Sequence, residues 1–371
     1  MKILWIPHTG WHIPQRSHIF CRALAERHEV HVTDLIADFH NWYDYLSWRY
    51  LKNFSYRLYR DGEITVHGVP RISPAIFSST LRHLNSDIFS QLVQLIIDRY
   101  QIEVVVGTFV VPPPKAPRLV FDLFDDNVSY WRSIGSPYAD EIEQNEQAYF
   151  EQSNAVVAIS SVLMDKARQC GTGDNLYYIP NGVNLDQYGK KNKKNIRDKF
   201  NISGALVGSV GNYDRPSELN RIIGAAKLMK SEDVTFLIAG RGSALPQAKK
   251  QVKSQDISNV IFMGYLPSNK AIEVMTTLDV GLCPYDKTPM DDARSPMRLL
   301  AYSAASVPVV CTDLKSVRSI GFPNVVLVDD SATAMVAGIK QALQFPKVRP
   351  PQIEAYDINK LVTKYEMILQ G

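Results

Sequence analysis

Runs of β-branched and aliphatic residues alternate along the whole chain with stretches whose apolar positions recur every three to four residues. The first pattern suits buried strands and the second amphipathic helices, so the alternation predicts doubly wound α/β domains. In the first half the predicted strands are 2–7, 29–34, 102–107, 118–124, 155–160 and 176–179, with helices clearest over 17–27 and 140–152. The second half repeats the plan with strands 205–211, 234–240, 260–263, 279–283, 309–312 and 325–328. Two Rossmann-like domains in sequence follow from this repetition.

The join falls near Ile179-Pro180-Asn181-Gly182, where Asn-Gly is a turn signal. The lysine-rich stretch 190–199 after it lacks periodicity and reads as a solvated linker leading into a first helix. The expected divisions are 1–183, 184–346 and a tail, 347–371, with a proline-rich turn and an amphipathic helix over 357–370. A length of 371 residues exceeds one ordinary core of about 150 to 200 residues and fits two.

Composition narrows the class of protein. With 45% hydrophobic and 21% charged residues the chain is globular, and a formal net charge of +3 is too small to indicate a nucleic-acid partner. Cys21, Cys170, Cys283 and Cys311 are scattered without a C-x-x-C pair, and read as buried thiols of a reducing compartment. The first apolar run is too short for a secretory signal, and no run approaches the roughly 20 residues that cross a bilayer. A cytoplasmic location is expected. His28 and His31 read as core or surface residues and not as ligands, and no group of residues has metal-ligand spacing, so no bound metal is expected.

Candidate chemistry concentrates in Ser295-Pro296-Met297-Arg298-Leu299-Leu300-Ala301-Tyr302 and its continuation to Val310. Pro296 suits the first turn of a helix, where its missing N–H costs nothing. Free backbone donors and the positive end of the helix dipole then favour a phosphate, and Arg298 adds a full charge.

These residues resemble the donor-binding region of retaining glycosyltransferases of the GT-B fold, the family 4 type, whose stretch reads roughly S-P-x-K-L-x-E-Y-x-A-x-G-x-P-V-V. Arg298 matches the basic position, Tyr302 the aromatic, Ala304 the small residue, and Pro308 to Val310 the start of the strand. Two positions depart: Ala301 stands where the family has the Glu that holds the donor ribose, and Ser306 replaces a Gly. Ile179-Pro180-Asn181-Gly182-Val183 resembles the family's interdomain crossing. In such enzymes the tail returns to the first domain.

In open α/β sheets ligands sit beyond the carboxyl ends of strands, so each loop after a strand is a candidate. His8-Thr9-Gly10-Trp11 fits a loop facing sugar or acceptor, with Gly10 allowing close approach, and equally a plain turn. Asp125-Asp126, at the end of the fourth strand, suits a sugar hydroxyl or a cation between two carboxylates. The alternative is a helix cap, which suits Asn127 best. The loop from Gly107, where many relatives carry a His that contacts the transferred sugar, has none.

In the second half, Gly211-Asn212-Tyr213-Asp214-Arg215 offers Arg215 to paired phosphate oxygens, or a surface Arg balanced by Asp214 or Glu218. Gly240-Arg241-Gly242 resembles the family's A-G-x-G turn, with Arg241 within reach of a pyrophosphate. Phe262-Met263-Gly264-Tyr265-Leu266 resembles its F-x-G-x-L, where backbone after the Gly pairs with the base, and Tyr265 is either a stacking or a packing residue. The stretch 42–60 interleaves aromatics with Arg49, Lys52, Arg57 and Arg60. As a helix it would place Trp48, Leu51 and Tyr59 near one face, resting on anionic lipid, lining an acceptor groove, or packed on the first domain.

The resemblance implies an α/β GT-B architecture, two Rossmann-like doubly wound domains facing across a cleft. It implies transfer of a sugar, with retention, from a UDP- or GDP-type donor to a glycan, lipid-linked or small-molecule hydroxyl. Asp125, Asp126, Arg215 and Arg298 are the expected catalytic residues. Gly10, Gly211, Arg241, Tyr265, Leu266, Ser295, Pro296, Met297 and Ala301 are the expected binding residues. Ala301 and the absent His also support an alternative, a catalytically impaired relative acting as a binding or partner subunit. A sugar-nucleotide epimerase would need a cluster of His and carboxylates that the sequence lacks. A place at the inner face of the plasma membrane would follow if 42–60 meets lipid.

Overall fold

The structure, a computed structural model, describes residues 1–11, 15–35, 54–72, 79–108, 111–189 and 194–371. The chain divides into two compact units, Met1–Ile179 with Val362–Gly371, and Pro180–Leu361.

The first unit is built on an eight-stranded sheet: β1 (Lys2–Trp5), β2 (Glu29–Leu35), β3 (Arg57–Asp61), β4 (Ile64–Val69), β5 (Val104–Gly107), β6 (Arg118–Leu123), β7 (Ala155–Ala158) and β8 (Leu176–Tyr178). Their order is β3-β4-β2-β1-β5-β6-β7-β8, parallel throughout except for the β3–β4 hairpin. Every residue of β5 and β7 is buried. That explains why these strands appear in the sequence as unbroken apolar runs: a parallel sheet is covered on both faces. Strand order reverses between β1 and β5, which makes the carboxyl end of β1 the switch point of this sheet.

The six strands predicted in this half are present, with ends differing by one or two residues. The hairpin and a long helix, Ser79–Tyr100, are additions. Arg57–Asp61 is an edge strand with exposed side chains at Leu58 and Tyr59, so no alternation of buried and exposed positions marks it. This corrects the helix expected over 42–60 for the part described. Residues 42–53, with Trp48, Arg49, Leu51 and Lys52, lie outside the described residues. The long helix buries Phe89, Val93, Ile96 and Ile97, so only its second half carries an amphipathic signal. Tyr365, in the last helix (Ile358–Gln370), packs its ring 5.4 Å from Trp5 and 5.0 Å from Phe20.

The second unit has a six-stranded, fully parallel sheet: β9 (Ala205–Asn212), β10 (Val234–Arg241), β11 (Val260–Gly264), β12 (Val280–Cys283), β13 (Val309–Thr312) and β14 (Val325–Val328). Its order, β11-β10-β9-β12-β13-β14, is that of a Rossmann domain, with the reversal between β9 and β12. Alternate residues feed two cores: Leu206 and Leu237 face one set of helices, Val207, Phe236 and Ile238 the other. Tyr302 shows how tightly one of these closes. Its buried hydroxyl accepts the Val210 N–H at 2.9 Å, and a side chain at Gly281 would strike its ring.

Of the four cysteines, Cys21, Cys283 and Cys311 are buried and Cys170 is half-buried, which corrects the expectation for Cys170. Among the described residues no helix is long and apolar enough to cross a membrane.

Candidate functional site

In the second unit the residues singled out by sequence gather at the carboxyl ends of β9, β10, β11 and β12. The chain leaves β12 through a loop and turns back in the helix Met297–Ala304 before entering β13. A helix that connects two parallel strands starts at the carboxyl edge of the sheet, where the first strand ends. Pro296, expected inside the first turn, is instead the residue before it, with φ −77° and ψ 106°. Among the described residues no side chain caps this helix, and Met297 is 40% exposed, so its first turn presents backbone donors at an accessible edge. Ser295 is buried, held by Asn181: the Ser295 hydroxyl accepts the Asn181 N–H at 3.1 Å, and its carbonyl accepts the Asn181 side-chain amide at 2.9 Å.

Arg298 does not point into open space. Its Nη1 donates to Glu218 Oε2 at 2.9 Å and its Nη2 to the Asn212 carbonyl at 2.7 Å. The guanidinium lies 5.1 Å from the Tyr213 ring centroid and 5.6 Å from that of Tyr285. Burial opposes its charge, but Tyr285, Glu218 and Tyr213 outweigh this and hold it protonated. Gly211 is glycine for the same reason, since a Cβ there would meet Arg298 Nε.

Arg215 is likewise engaged, with Asp291 at 2.6 Å and Asp286 at 3.5 Å, where Asp214 or Glu218 had been the expected partner. Asp286 also accepts from Arg221 at 2.6 Å and Ser217 at 3.0 Å. Burial raises the Asp286 carboxyl, but these partners pull it below its ordinary value. Asp291 is fully buried and also meets Arg294 at 2.8 Å. Three carboxylates thus bind four arginines into a fixed frame around the end of β12.

Arg241 differs. It is exposed, stands over Tyr265 with 5.5 Å to the ring centroid, and pairs with no carboxylate among the described residues. Tyr265 is 66% exposed, so the stacking alternative has the open ring it requires, while Leu266 packs on the core. The flanking glycines are structural. Gly240 (φ +141°) and Gly242 (φ +147°) adopt conformations other residues avoid, and a Cβ would collide with the carbonyls of Gly211 and Tyr213 respectively. Ala301 is buried at 6% exposure, with no polar atom to offer a ribose.

In the first unit, Asp126 rather than Asn127 caps the helix Asn127–Ser133, accepting from the Ser129 hydroxyl at 2.6 Å. It also pairs with Lys166 at 2.8 Å, which bridges to the buried Glu146 at 2.6 Å. Burial opposes its charge, but Lys166 and Ser129 hold the Asp126 carboxyl low. Asp125 is half-buried beside it. Gly10 is buried next to Trp11, whose N–H donates to Asp34 at 2.7 Å. The half-buried His8 ring stacks on Phe124 with centroids 4.0 Å apart, and burial pushes its imidazole down to about 4.

Sequence reasoning offered Glu218 to Arg215 and missed it as the partner of Arg298; it also missed Asp286 and Asp291 as partners of Arg215, and Lys166 as partner of Asp126. The pairs Glu218–Arg298, Asp286–Arg215, Asp291–Arg215 and Lys166–Asp126 each join residues at least 40 positions apart, so spacing carries no trace of them. The role of Asn181 toward Ser295 was visible only as a turn signal.

Residues 204–344 match the family described as Glycosyl transferases group 1. The Escherichia coli (strain K12) protein WcaI, named for glycosyl transfer in colanic acid biosynthesis, is 24% identical over 361 residues, 87% of this chain and 86% of its own length. Among solved structures, sucrose-phosphate synthase from Thermosynechococcus elongatus superposes with a TM-score of 0.75 at 13% identity, over 100% of this chain and 98% of that one. Anabaena Alr3699/HepE, solved in complex with UDP, gives 0.69 at 15% identity over the whole of both chains. The match to the group 1 family thus falls within the second unit, and the chain has the two-Rossmann-domain fold of the GT-B glycosyltransferases.

Proposed function

We propose that the protein transfers a sugar, with retention of anomeric configuration, from a UDP-linked donor to a hydroxyl of a glycan or lipid-linked glycan. The observation that carries this reading is the uncapped, accessible start of the helix Met297–Ala304 at the β9/β12 switch point, inside the stretch that matches the group 1 family. The diphosphate meets the first-turn amides of that helix, where the dipole and free N–H groups favour an anion. Negative charge grows on the leaving diphosphate in the transition state, so donors fixed in advance lower the barrier. Arg241 supplies the exposed cation and Tyr265 the face for the base. Arg298 and Arg215, each locked to carboxylates, act by holding the Asn212–Arg215 loop in place. UDP as the nucleotude class is supported by the complexes of HepE with UDP and with UDP-glucose. A glycan acceptor is supported by the name of WcaI.

A second reading, a nucleotide-binding partner subunit without turnover, is favoured by the same locked arginines together with Ala301. Incubating the protein with UDP-, GDP- and dTDP-sugars, and following binding and sugar release in parallel, separates the two: turnover supports the enzyme, and binding alone supports the partner. Binding of none removes both.

The reading extends to a cytoplasmic, peripheral position. Exposed Phe54, Tyr56 and Leu58 beside Arg57 and Arg60 support contact with anionic lipid. Failure to sediment with anionic liposomes would remove that element.

A further inference from the structure

Resting on the glycosyltransferase reading, we propose that Asp214 is a positioning residue of the nucleotide site: its carboxylate clamps the turn 240–243 and so sets where Arg241 meets the donor diphosphate. Asp214 does not touch the donor in this role. It acts through the backbone that carries Arg241.

Asp214 follows β9, where the sequence offers it to Arg215, and it turns instead to the loop after the neighbouring strand. Its Oδ1 accepts the Ser243 N–H at 3.0 Å and the Ser243 hydroxyl at 3.2 Å. Two backbone bonds run beside these: the Tyr213 N–H donates to the Arg241 carbonyl at 2.8 Å, and the Ala244 N–H to the Tyr213 carbonyl at 3.0 Å. Residues 241, 243 and 244 are therefore tied to the consecutive pair Tyr213 and Asp214. That pair is itself anchored, since Tyr213 is buried with its ring 5.1 Å from the Arg298 guanidinium, and Arg298 Nη2 holds the Asn212 carbonyl at 2.7 Å.

The turn has little stiffness of its own. Gly240 and Gly242 flank Arg241 at φ +141° and +147°, and glycine loses more conformational freedom on ordering than any other residue. The ladder between β9 and β10 ends at the pair Asn212 and Arg241, so strand pairing gives no support beyond that point. The helix Leu245–Ser254 that follows has no side-chain cap among the described residues, and its positive end favours a carboxylate beside it. From this turn the exposed Arg241 side chain reaches over Tyr265, 5.5 Å from the ring centroid. A guanidinium meets paired phosphate oxygens through two parallel N–H bonds, so its contribution depends on a fixed point of attachment.

The test is a double-mutant cycle read by calorimetric titration with UDP, GDP and dTDP, the tightest binder being carried through the variants. Arg241→Ala should weaken that nucleotide at least about 10-fold and Asp214→Ala about 3- to 10-fold, while adding Asp214→Ala to Arg241→Ala should cost less than about 2-fold, because the residue it positions is gone. Charge alone predicts the opposite sign, since removing a carboxylate near a diphosphate would tighten binding. Asp214→Asn keeps the oxygen that accepts both Ser243 bonds and should bind within about 2-fold of wild type. Ser243→Ala removes only the hydroxyl bond and is the milder form of the same change, giving a smaller loss that Arg241→Ala likewise cancels. Asp214→Ala binding as tightly as wild type, losing affinity equally with and without Arg241, or matched in its loss by Asp214→Asn overturns the inference while the glycosyltransferase reading stands. Wild type that binds none of the nucleotides fails that reading itself.

Discussion

The backbone and side-chain amides of Asn181 clasp Ser295, at 3.1 Å to its hydroxyl and 2.9 Å to its carbonyl, across 114 positions of sequence. This places the residue before Pro296 under the control of the turn that opens the second unit. Asn181→Ala removes the side-chain donor and leaves a buried residue's carbonyl unpaired, at about 1 to 2 kcal/mol. A fall in melting temperature of about 2 to 4 °C per kcal/mol, with weaker UDP binding, is the expected outcome by calorimetry. Unchanged values in both would show the clasp to be idle.

Glycine substitutions should divide sharply. Gly240→Ala drives a Cβ into the Gly211 carbonyl at a φ of +141° and should prevent stable folding, read as loss of soluble protein. Gly264→Ala, at φ +72° with open space around it, should cost only about 1 kcal/mol in a denaturant titration.

Ser306 reverses the experiment. It holds φ +62° where the resembling motif has Gly, so Ser306→Gly relieves a strained backbone. The expected gain is a few tenths of a kcal/mol to about 1 kcal/mol. A loss of stability would mean that the serine side chain contributes more than the strain removes.

Arg298→Ala is expected to act on stability before activity. It leaves Glu218, 5% exposed, as a buried unpaired charge, and removal of one partner of such a pair costs about 3 to 5 kcal/mol. The double variant Arg298→Met, Glu218→Leu should recover most of that loss, because no lone charge remains. Equal unfolding midpoints for Arg298→Ala and wild type would contradict the locked-arginine account.

Acid should weaken the first unit. His67 is fully buried, bonded to His31 at 2.8 Å and to the Tyr56 hydroxyl at 2.6 Å, and burial, helped by His31, lowers it from 6.5 to about 4. Between those values the unfolded chain binds the proton and the folded one does not, so unfolding is favoured as pH falls. Stability is whole above about pH 6.5 and declines toward pH 4, by at most about 3 kcal/mol from this residue. His8 acts in the same direction. Urea midpoints measured from pH 7 to 4.5 should fall in wild type and fall less in His67→Gln; a flat wild-type profile would contradict the assignment.

Much of the architecture was legible because a parallel sheet buried on both faces writes its strands as apolar runs, as β5 and β7 do. The β3–β4 hairpin was not, because an edge strand such as Arg57–Asp61 exposes Leu58 and Tyr59 and shows no periodicity. Motifs gave the positions of Gly240, Gly242, Tyr265 and Pro296, whose backbone or exposure is set locally. They could not give the state of Arg215, Arg298 or Asp126. Whether a charged group faces a ligand or an internal partner depends on contacts from helices distant in sequence, here through Asp291, Glu218 and Lys166.

The central claim is that a nucleotide diphosphate is held by the first-turn amides of the helix starting at Met297. Met297→Pro tests it most directly. Proline is tolerated at the first helical position, Pro296 already has the extended backbone that a following proline requires, and the Met297 side chain is 40% exposed. The change therefore deletes one backbone N–H and little else. Calorimetric titration with UDP should show affinity reduced about 5- to 30-fold, the equivalent of about 1 to 2 kcal/mol for one hydrogen bond to a charged group, with the melting temperature preserved. UDP bound as tightly by Met297→Pro as by wild type would contradict the account.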